Sequence, residues 1–227
     1  FEGEEPEHFA TMRKVLQSQD DIERIRGFRV LRMLRGPQRL QERMSYFWHL
    51  HFATSTAKVA PPRWMLDQWD VFDRCGLGRF DELLLEVSRD KAMIRWLDNE
   101  TNEKESPNEN YAREIFELFA LGRGAYSERD IQEAARAFTG WTIRNHRIKK
   151  IGLNHDDDPK EIFGETGNFD GEAVCRLAAE HPASAQRHSR ADQEIRNQVR
   201  REWLRAWQVG APRRAYRRSS ASARAAR

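Results

Sequence analysis

Residues 37–52 read PQRLQERMSYFWHLHF, and this stretch decides the fold class. Its large apolar side chains recur at Met44, Phe47, Trp48 and Phe52. That three- and four-residue spacing places them on one face of an α-helix and does not fit the alternation of a strand. The proline at its start suits the first turn of a helix. The stretch therefore predicts an amphipathic helix that ends near Phe52 and packs on a core.

Capping residues predict further helices on both sides of this stretch. Asp20 or Asp21 can cap a helix before it, and Pro62 can open one after it. Asp90 and Asp170 can cap two more. A short side-chain oxygen suits this position because it accepts hydrogen bonds from the first free backbone N–H groups of a helix.

Two serines give the clearest helix starts. Residues 106–109 read SPNE and residues 127–130 read SERD, both in the pattern of a capping box. The first predicts a helix from Pro107 to Gly122. Residues 141–164 mix short β-branched and basic segments with turn residues, which predicts a small β-hairpin. We therefore predict an all-α fold class, a multi-helix globular domain with a small β-hairpin near 141–164.

Composition narrows the class of protein. The chain has 227 residues, 39% hydrophobic and 33% charged, and its Trp and Phe residues can fill a core. Its longest apolar runs span a few residues, whereas a membrane-spanning helix needs roughly 20. Cys75 and Cys175 lie far apart without a metal-binding spacing. The sequence therefore predicts no membrane span, no disulfide framework and no zinc knuckle.

Charge divides the chain into two parts. Residues 185–227 contain twelve Arg, no Lys and three acids, a balance of +9 against +3 for the whole chain, so residues 1–184 carry −6. We predict a helical domain over 1–184 and an Arg-rich tail, partly helical or disordered, over 185–227. Such a tail binds phosphate groups non-specifically. Because the body offers no matching basic face, we predict no specific nucleic-acid function.

Four motifs carry a family resemblance. They read RMSYFWHLHF at 43–52, PNENYARE at 107–114, DIQEAARAFTGW at 130–141, and His155-Asp156 followed by Lys160, Phe163 and Gly164. In this order they resemble the domain-of-unknown-function 1800 family, over about residues 10–184. The resemblance implies a bacterial, largely helical domain, often made with an export signal. It implies no particular activity.

The resemblance also implies a partner and an interruption. Genes of the family commonly lie beside those of a second family, numbered 1501, whose protein is a predicted partner. After Ala183 the sequence departs from the family pattern, and a frameshift explains the Arg-rich composition better than a genuine basic tail. On this interpretation residues 1–184 are an incomplete domain. The compartment stays open, since no signal segment is visible in the sequence.

Helical phase selects His51 as a candidate site residue. It lies on the same face as Phe47 and Trp48, so it points towards the core. His49 lies about 200° around the helix from His51 and cannot face the same site. The alternative for His51 is a core histidine that is hydrogen-bonded to a carboxylate or a carbonyl.

Glu114 is the most informative acid in the sequence. It falls inside the apolar arc of its predicted helix, where a bare carboxylate costs several kcal/mol. One interpretation is a buried ion pair with an arginine such as Arg43, Arg113 or Arg136. The other is a general base or metal ligand beside His51.

Residues 155–158 read HDDD and form a polar cluster on a predicted loop, where function often lies. The simpler interpretation is a solvated turn, with Asp157 or Asp158 placed before Pro159. In a more specific hypothesis, the loop folds over the helices so that His155 and Asp156 lie beside His51 and Glu114. These four residues would suit one divalent metal ion. In this hypothesis His51, Glu114 and His155 bind the metal. Glu114, His155 and Asp156 are then the catalytic residues.

Two function classes stay open. The first is a metal-dependent hydrolase that acts on exported or cell-envelope material, with a divalent metal as its cofactor. The second is a non-catalytic helical partner or assembly protein for the family-1501 protein. The sequence contains no G-x-S-x-G, P-loop, G-x-G-x-x-G or H-E-x-x-H motif. It therefore does not decide whether the chain is an enzyme.

Overall fold

The computed structural model describes residues 6–145 and 147–189. The described residues up to Ala185 belong to one compact unit, which contains the fold and the site. Nearly all of the predicted Arg-rich tail, 185–227, lies outside the described residues. Within the described ranges, no helix has both the length and the apolar character that crossing a membrane requires.

Helices dominate the first 140 residues. The first six are α1 (Glu7–Gln17), α2 (Ile22–Arg35), α3 (Arg39–Phe52), α4 (Arg63–Cys75), α5 (Phe80–Ser88) and α6 (Lys91–Trp96). They are followed by α7 (Asn110–Glu114), which continues as a π-helical segment (Ile115–Ala120), and by α8 (Glu128–Ala137). The helix predicted from residues 37–52 is α3, and it ends at Phe52 as expected.

The strands form two separate antiparallel hairpins. In the first, β1 (Trp141–Arg144) pairs with β2 (Arg147–Lys150). In the second, β3 (Lys160–Ile162) pairs with β4 (Glu165–Gly167), and α9 (Gly171–Glu180) follows. The predicted fold class is therefore confirmed, with one more hairpin than the sequence indicated.

Most of the predicted caps are present. Asp21, Asp90 and Asp170 each accept a backbone N–H in the first turn of α2, α6 and α9. Ser127 forms a reciprocal capping box with Asp130 at the start of α8. Local hydrogen-bonding chemistry alone was sufficient to place these four helix starts.

The predicted capping box at Ser106 is wrong. Ser106 lies in a turn, where its N–H donates to the carbonyl of Glu103 at 2.9 Å. The helix begins instead at Asn110, whose N–H donates to Asn108 Oδ1 at 3.0 Å. The N–H of Asn108 in turn donates to Asn102 Oδ1 at 2.9 Å. Asparagine side chains therefore accept from backbone N–H groups at this helix start, where a serine was expected to do so.

The core has a main part and two smaller parts. The main part surrounds α7 and α8, where Tyr111, Phe116 and Phe138 are fully buried. One smaller part joins α1, α2 and α4 through Phe9, Leu16, Ile25, Phe28 and Leu66. The other consists of Val59, Trp64, Met65 and Ala92. Since Leu66 belongs to α4, the first of these smaller parts packs α1 and α2 against α4.

Candidate functional site

The structure places His51 among aromatic rings. Its Nε2 lies 3.1 Å from the carbonyl oxygen of Phe119, which can only accept, so Nε2 is the donor. Its ring packs against Phe47 and Trp48 on the inward face of α3. The inward direction agrees with the prediction, and the hydrogen bond to a carbonyl is the one that the core-histidine interpretation expects.

Glu114 lies at the end of α7, directly before the π-helical segment, and is half-buried. Burial, and then the neighbouring charge of Glu117, raise the pKa of the Glu114 carboxyl above its ordinary value. The predicted ion pair is not formed within the described part of the chain. Arg113 pairs instead with Glu109 and Glu128.

His155 and Asp156 lie together on the loop before β3, and both are buried. His155 Nδ1 donates to the carbonyl oxygen of Thr139 at 2.9 Å. Asp156 accepts from Arg136 Nε at 2.7 Å and from Arg136 Nη2 at 3.2 Å. The buried Lys160 donates to the carbonyl oxygen of Asp156 at 2.7 Å. These contacts fix His155 and Asp156 in place, whereas Asp157 and Asp158 are exposed, as the solvated-turn interpretation expects.

The structure does not gather the four predicted residues into one site. Among the described residues, no group of three or more His, Cys, Asp or Glu is arranged to hold a metal ion. His155 and Asp156 are neighbours on one loop, whereas His51 and Glu114 do not join them in such a group. The metal-site hypothesis therefore stays a prediction.

A buried ionic cluster, consisting of Arg29, Arg32, Glu42 and Asp73, joins α2, α3 and α4. Arg29 donates to Asp73 Oδ2 and to Glu42 Oε2, each at 3.0 Å. Arg32 reaches the same two carboxylates, at 2.7 Å and 2.6 Å. Burial alone would raise the pKa of Asp73, but the guanidinium groups of Arg29 and Arg32 outweigh it and hold this pKa below its ordinary value. In Glu42, by contrast, burial outweighs the same two arginines and raises the pKa above its ordinary value. The cluster thus pairs two guanidinium groups with two buried carboxyl groups, of which Asp73 is the more firmly ionised.

Beside this cluster lies a half-open pocket of about 400 Å³, which we call the α2–α4 pocket. It is bounded by α2, α3, α4 and the loop after α3. Its apolar lining comes from α2 and α4 and consists of Ile22, Ile25, Val30, Met33, Met65 and Trp69. Its remaining lining carries polar groups and consists of Arg26, Arg29, Tyr46, His49, Thr54, Ser55 and Thr56.

Trp69 is the aromatic wall of the α2–α4 pocket. The guanidinium carbon of Arg29 lies 4.1 Å from the centroid of its ring. The His49 ring centroid lies 4.5 Å away, and Tyr46 is near-parallel to Trp69 at 6.4 Å. A cation on one aromatic ring and a second ring beside it hold the wall in one orientation.

His49 lies on the opposite face of α3 from His51. Burial, and then the charge of Arg29, lower the pKa of His49, so its imidazole is neutral at pH 7. Within the described part of the chain, neither His49 Nδ1 nor Arg29 Nε has a hydrogen-bond partner, although both atoms are buried. Buried polar atoms normally have hydrogen-bond partners. These two atoms belong to two residues that line the same pocket.

The loop side of the pocket is tied to the core by a chain of side-chain hydrogen bonds. The hydroxyl of the buried Thr54 donates to Gln68 Oε1, and Gln68 Nε2 donates to Asp90 Oδ2 at 2.9 Å. Asp90 also accepts from the N–H of Met93 at 3.1 Å. Burial raises the pKa of Asp90 to about 7. Contacts outside the pocket therefore fix both of its polar sides, the ion pairs of Arg29 on one side and the hydrogen bonds of Thr54 and Gln68 on the other.

The family model described as "Protein of unknown function (DUF1800)" matches residues 4–191. The chain belongs to this family. The resemblance drawn from the four motifs is thereby confirmed. No curated protein and no solved structure matches the chain. The match includes every residue of the ionic cluster and of the α2–α4 pocket, so both lie within the DUF1800 domain.

The apolar spacing of α3 predicts a single buried face, so this pocket was not predicted from the sequence. The helix also buries a polar face, on which Glu42, Ser45 and His49 follow one another at helical spacing. That spacing was a usable signal. The partners across the pocket, Arg29 and Trp69, were not predictable, since sequence spacing says nothing about which helices become neighbours.

Proposed function

We propose that this DUF1800 domain is a binding domain that holds a small organic molecule in the α2–α4 pocket. The observation that carries the proposal is a neutral His49 with an unbonded Nδ1, beside Trp69 in a half-open pocket. An apolar pocket with a few convergent polar groups and a residue of perturbed pKa is the arrangement typical of ligand sites.

The size and lining of the pocket support this proposal. Its volume of about 400 Å³ falls within the roughly 300–1,000 Å³ of known ligand pockets. A second groove, between α1 and α2, has a similar volume of about 390 Å³ and is lined by Met12, Val15 and Phe28 among others. Its accessible lining is almost entirely apolar, so it offers little that could fix the orientation of a ligand.

Methionine methyl groups provide a test that locates binding. We label the five methionines with ¹³C at the methyl group and titrate the protein with 1-octanol. Met33 and Met65 line the α2–α4 pocket, Met12 lines the other groove, and Met93 is buried in the core. We expect saturable shifts at Met33 and Met65 only. Unchanged Met33 and Met65 signals, or saturable shifts at Met12 alone, would refute the proposal.

A pair of matched variants strengthens the test. Val30 is 55% exposed at the mouth of the α2–α4 pocket, and Val15 is 49% exposed at the α1–α2 groove. Val30→Trp should block octanol binding, whereas Val15→Trp makes the same substitution at a similarly exposed position and should leave it unchanged. Equal binding by both variants would contradict the assigned site.

The metal-dependent hydrolase is the second candidate function. It is favoured by the half-buried Glu114, whose pKa is raised, next to a π-helical segment of the kind often found at functional sites. Metal analysis of the purified protein tests it. If the chain is a metal-dependent hydrolase, the wild type should contain a stoichiometric divalent metal and Glu114→Gln should lose it. A purified wild type without stoichiometric metal would exclude the metal-dependent hydrolase. The family-1501 protein likewise remains a predicted partner.

A further inference from the structure

The charged residues that line the α2–α4 pocket are both positive. Among the described residues, the lining includes Arg26 and Arg29 and no Asp or Glu. The carboxylates that compensate Arg29 belong to Glu42 and Asp73, and neither of these lines the pocket. Arg26 pairs with Glu23 at 2.7 Å, but this pair is exposed and Glu23 does not line the pocket either. An anionic head group at the mouth therefore competes only with an exposed, weak ion pair for Arg26.

Several polar groups in the pocket can donate a hydrogen bond to a ligand. The hydroxyl of Ser55 already accepts from the N–H of Ala57 at 3.1 Å, which leaves its own hydrogen available to donate. A neutral His49 carries one N–H, and its other ring nitrogen can only accept. Arg29 Nε carries an N–H that has no partner in the described chain, but this atom is buried behind the pocket surface. Arg26, 61% exposed at the mouth, adds a charged donor. A head group that accepts hydrogen bonds would satisfy these donors.

The opposite part of the lining is hydrocarbon. Ile22, Val30 and Met33 from α2 and Met65 from α4 present only aliphatic or thioether groups. Burying apolar surface there contributes about 25 cal/mol per Å². An apolar body attached to the acceptor head would therefore occupy the remainder of the pocket.

We propose that the ligand of the α2–α4 pocket is an anionic amphiphile, with a hydrocarbon body against α2 and Met65 and a carboxylate-type head facing Arg26, His49 and Ser55. This inference rests on the proposed binding function and adds the chemical class of the ligand. Charge complementarity carries it, since guanidinium groups bind carboxylates through charge-assisted hydrogen bonds and repel ammonium groups.

Three probes with the same chain length test the charge of the head group. Octanoate, 1-octanol and octylamine are titrated separately at pH 7 and low salt, and binding is measured by calorimetry and by the Met33 and Met65 methyl shifts. Charge-assisted hydrogen bonds contribute more than neutral ones, so we expect octanoate to bind about tenfold more tightly than octanol. Octylamine should bind most weakly. The preference for octanoate should decline as salt is added.

Arg26 and Arg24 offer a matched pair of variants. Both are exposed on α2, and each pairs with an acid three residues earlier, but Arg24 lines the other groove. Arg26→Gln should reduce the advantage of octanoate over octanol several-fold, while Arg24→Gln should preserve it. An equal effect of the two variants, or none in Arg26→Gln, would overturn the role of the pocket charge.

The outcomes separate the two proposals. If none of the three probes shifts Met33 or Met65, the pocket is not a ligand site and the proposed function fails with the inference. If octanol or octylamine binds as tightly as octanoate, the pocket remains a ligand site and the anionic class is wrong. Tight octanoate binding with shifts confined to Met33 and Met65 supports both.

Discussion

Neutralising Asp73 should destabilise the DUF1800 domain strongly. Its carboxylate accepts from Arg29 Nη1 at 3.0 Å, from Arg32 Nη1 at 2.7 Å and from Ser45 Oγ at 2.6 Å. Asp73→Asn keeps the shape of the side chain but removes one of two buried negative charges. It also turns an NH₂ group towards donors. Two guanidinium groups then share the single carboxylate of Glu42.

The expected loss follows from breaking a buried ion pair, which costs about 3–5 kcal/mol because an uncompensated charge stays buried. Domains are stable by only about 5–15 kcal/mol. For a domain of this size each kcal/mol lowers the melting temperature by about 2–4 °C, so the shift should be on the order of 10 °C. Thermal and urea unfolding, followed by circular dichroism, measure both quantities.

Asp81→Asn is the control for loss of an acidic charge. Asp81 pairs with Arg79 Nη2 at 2.6 Å, but the Arg79 side chain is 73% exposed. An exposed pair contributes about 0–1 kcal/mol. If Asp73→Asn loses no more stability than Asp81→Asn, the ionic cluster does not hold α2, α3 and α4 together.

The pH dependence of Asp73→Asn gives an independent check. The pKa of Asp73 is held below its ordinary value of 3.8, so its stabilising contribution is fully present above that pH. The contribution is lost as the pH falls through the lower, folded-state pKa. The stability difference between the wild type and Asp73→Asn should therefore be constant near neutral pH and shrink in acid. A difference that grows below pH 3.8 would contradict the assigned charge state.

Two further predictions concern buried charge. Burial raises the pKa of Asp90 from 3.8 to about 7, so the contribution of Asp90 to stability is most favourable below pH 3.8 and is lost as the pH rises towards 7. In urea unfolding, the wild type should therefore lose stability relative to Asp90→Asn over this pH range. A gain in stability of the wild type relative to Asp90→Asn would refute the prediction. Arg29→Lys and Arg32→Lys should each destabilise the domain, because an ammonium group cannot bind Glu42 and Asp73 at the same time as a guanidinium does. Only Arg29→Lys should weaken octanoate binding in calorimetry, since Arg32 does not line the α2–α4 pocket.

Sequence reasoning succeeded where structure depends on neighbouring residues. The caps at Asp21 and Asp170 involve donors within the first turn of their own helices, so a short polar residue before an apolar pattern was sufficient. It failed at Ser106 for a local reason as well. Asn102 and Asn108 provide competing acceptors within eight residues, and a pattern that scores only the serine cannot weigh them.

The candidate site depends on contacts that sequence spacing does not reveal. Arg29 and Asp73 are 44 residues apart, and either could equally have been a solvated surface charge. Phase along α3 correctly placed His51 inward and His49 on a different face, but it did not show that this second face lines a pocket. A helix between two layers buries two faces, and its polar face can then line a site.

The position of the ionic cluster is better explained by the pocket than by stability alone. Replacing a buried ion pair with well-packed apolar residues is often neutral or stabilising, so four buried charges are weak evidence of a stability device. Apolar residues could not hold a guanidinium over the ring of Trp69, with its carbon 4.1 Å from the ring centroid and its Nε without a hydrogen-bond partner in the described chain. Glu42 and Asp73 occupy the far side of Arg29 and restrict its rotamers. A binding group is effective when supporting residues fix it in advance, and the cluster provides that support for Arg29.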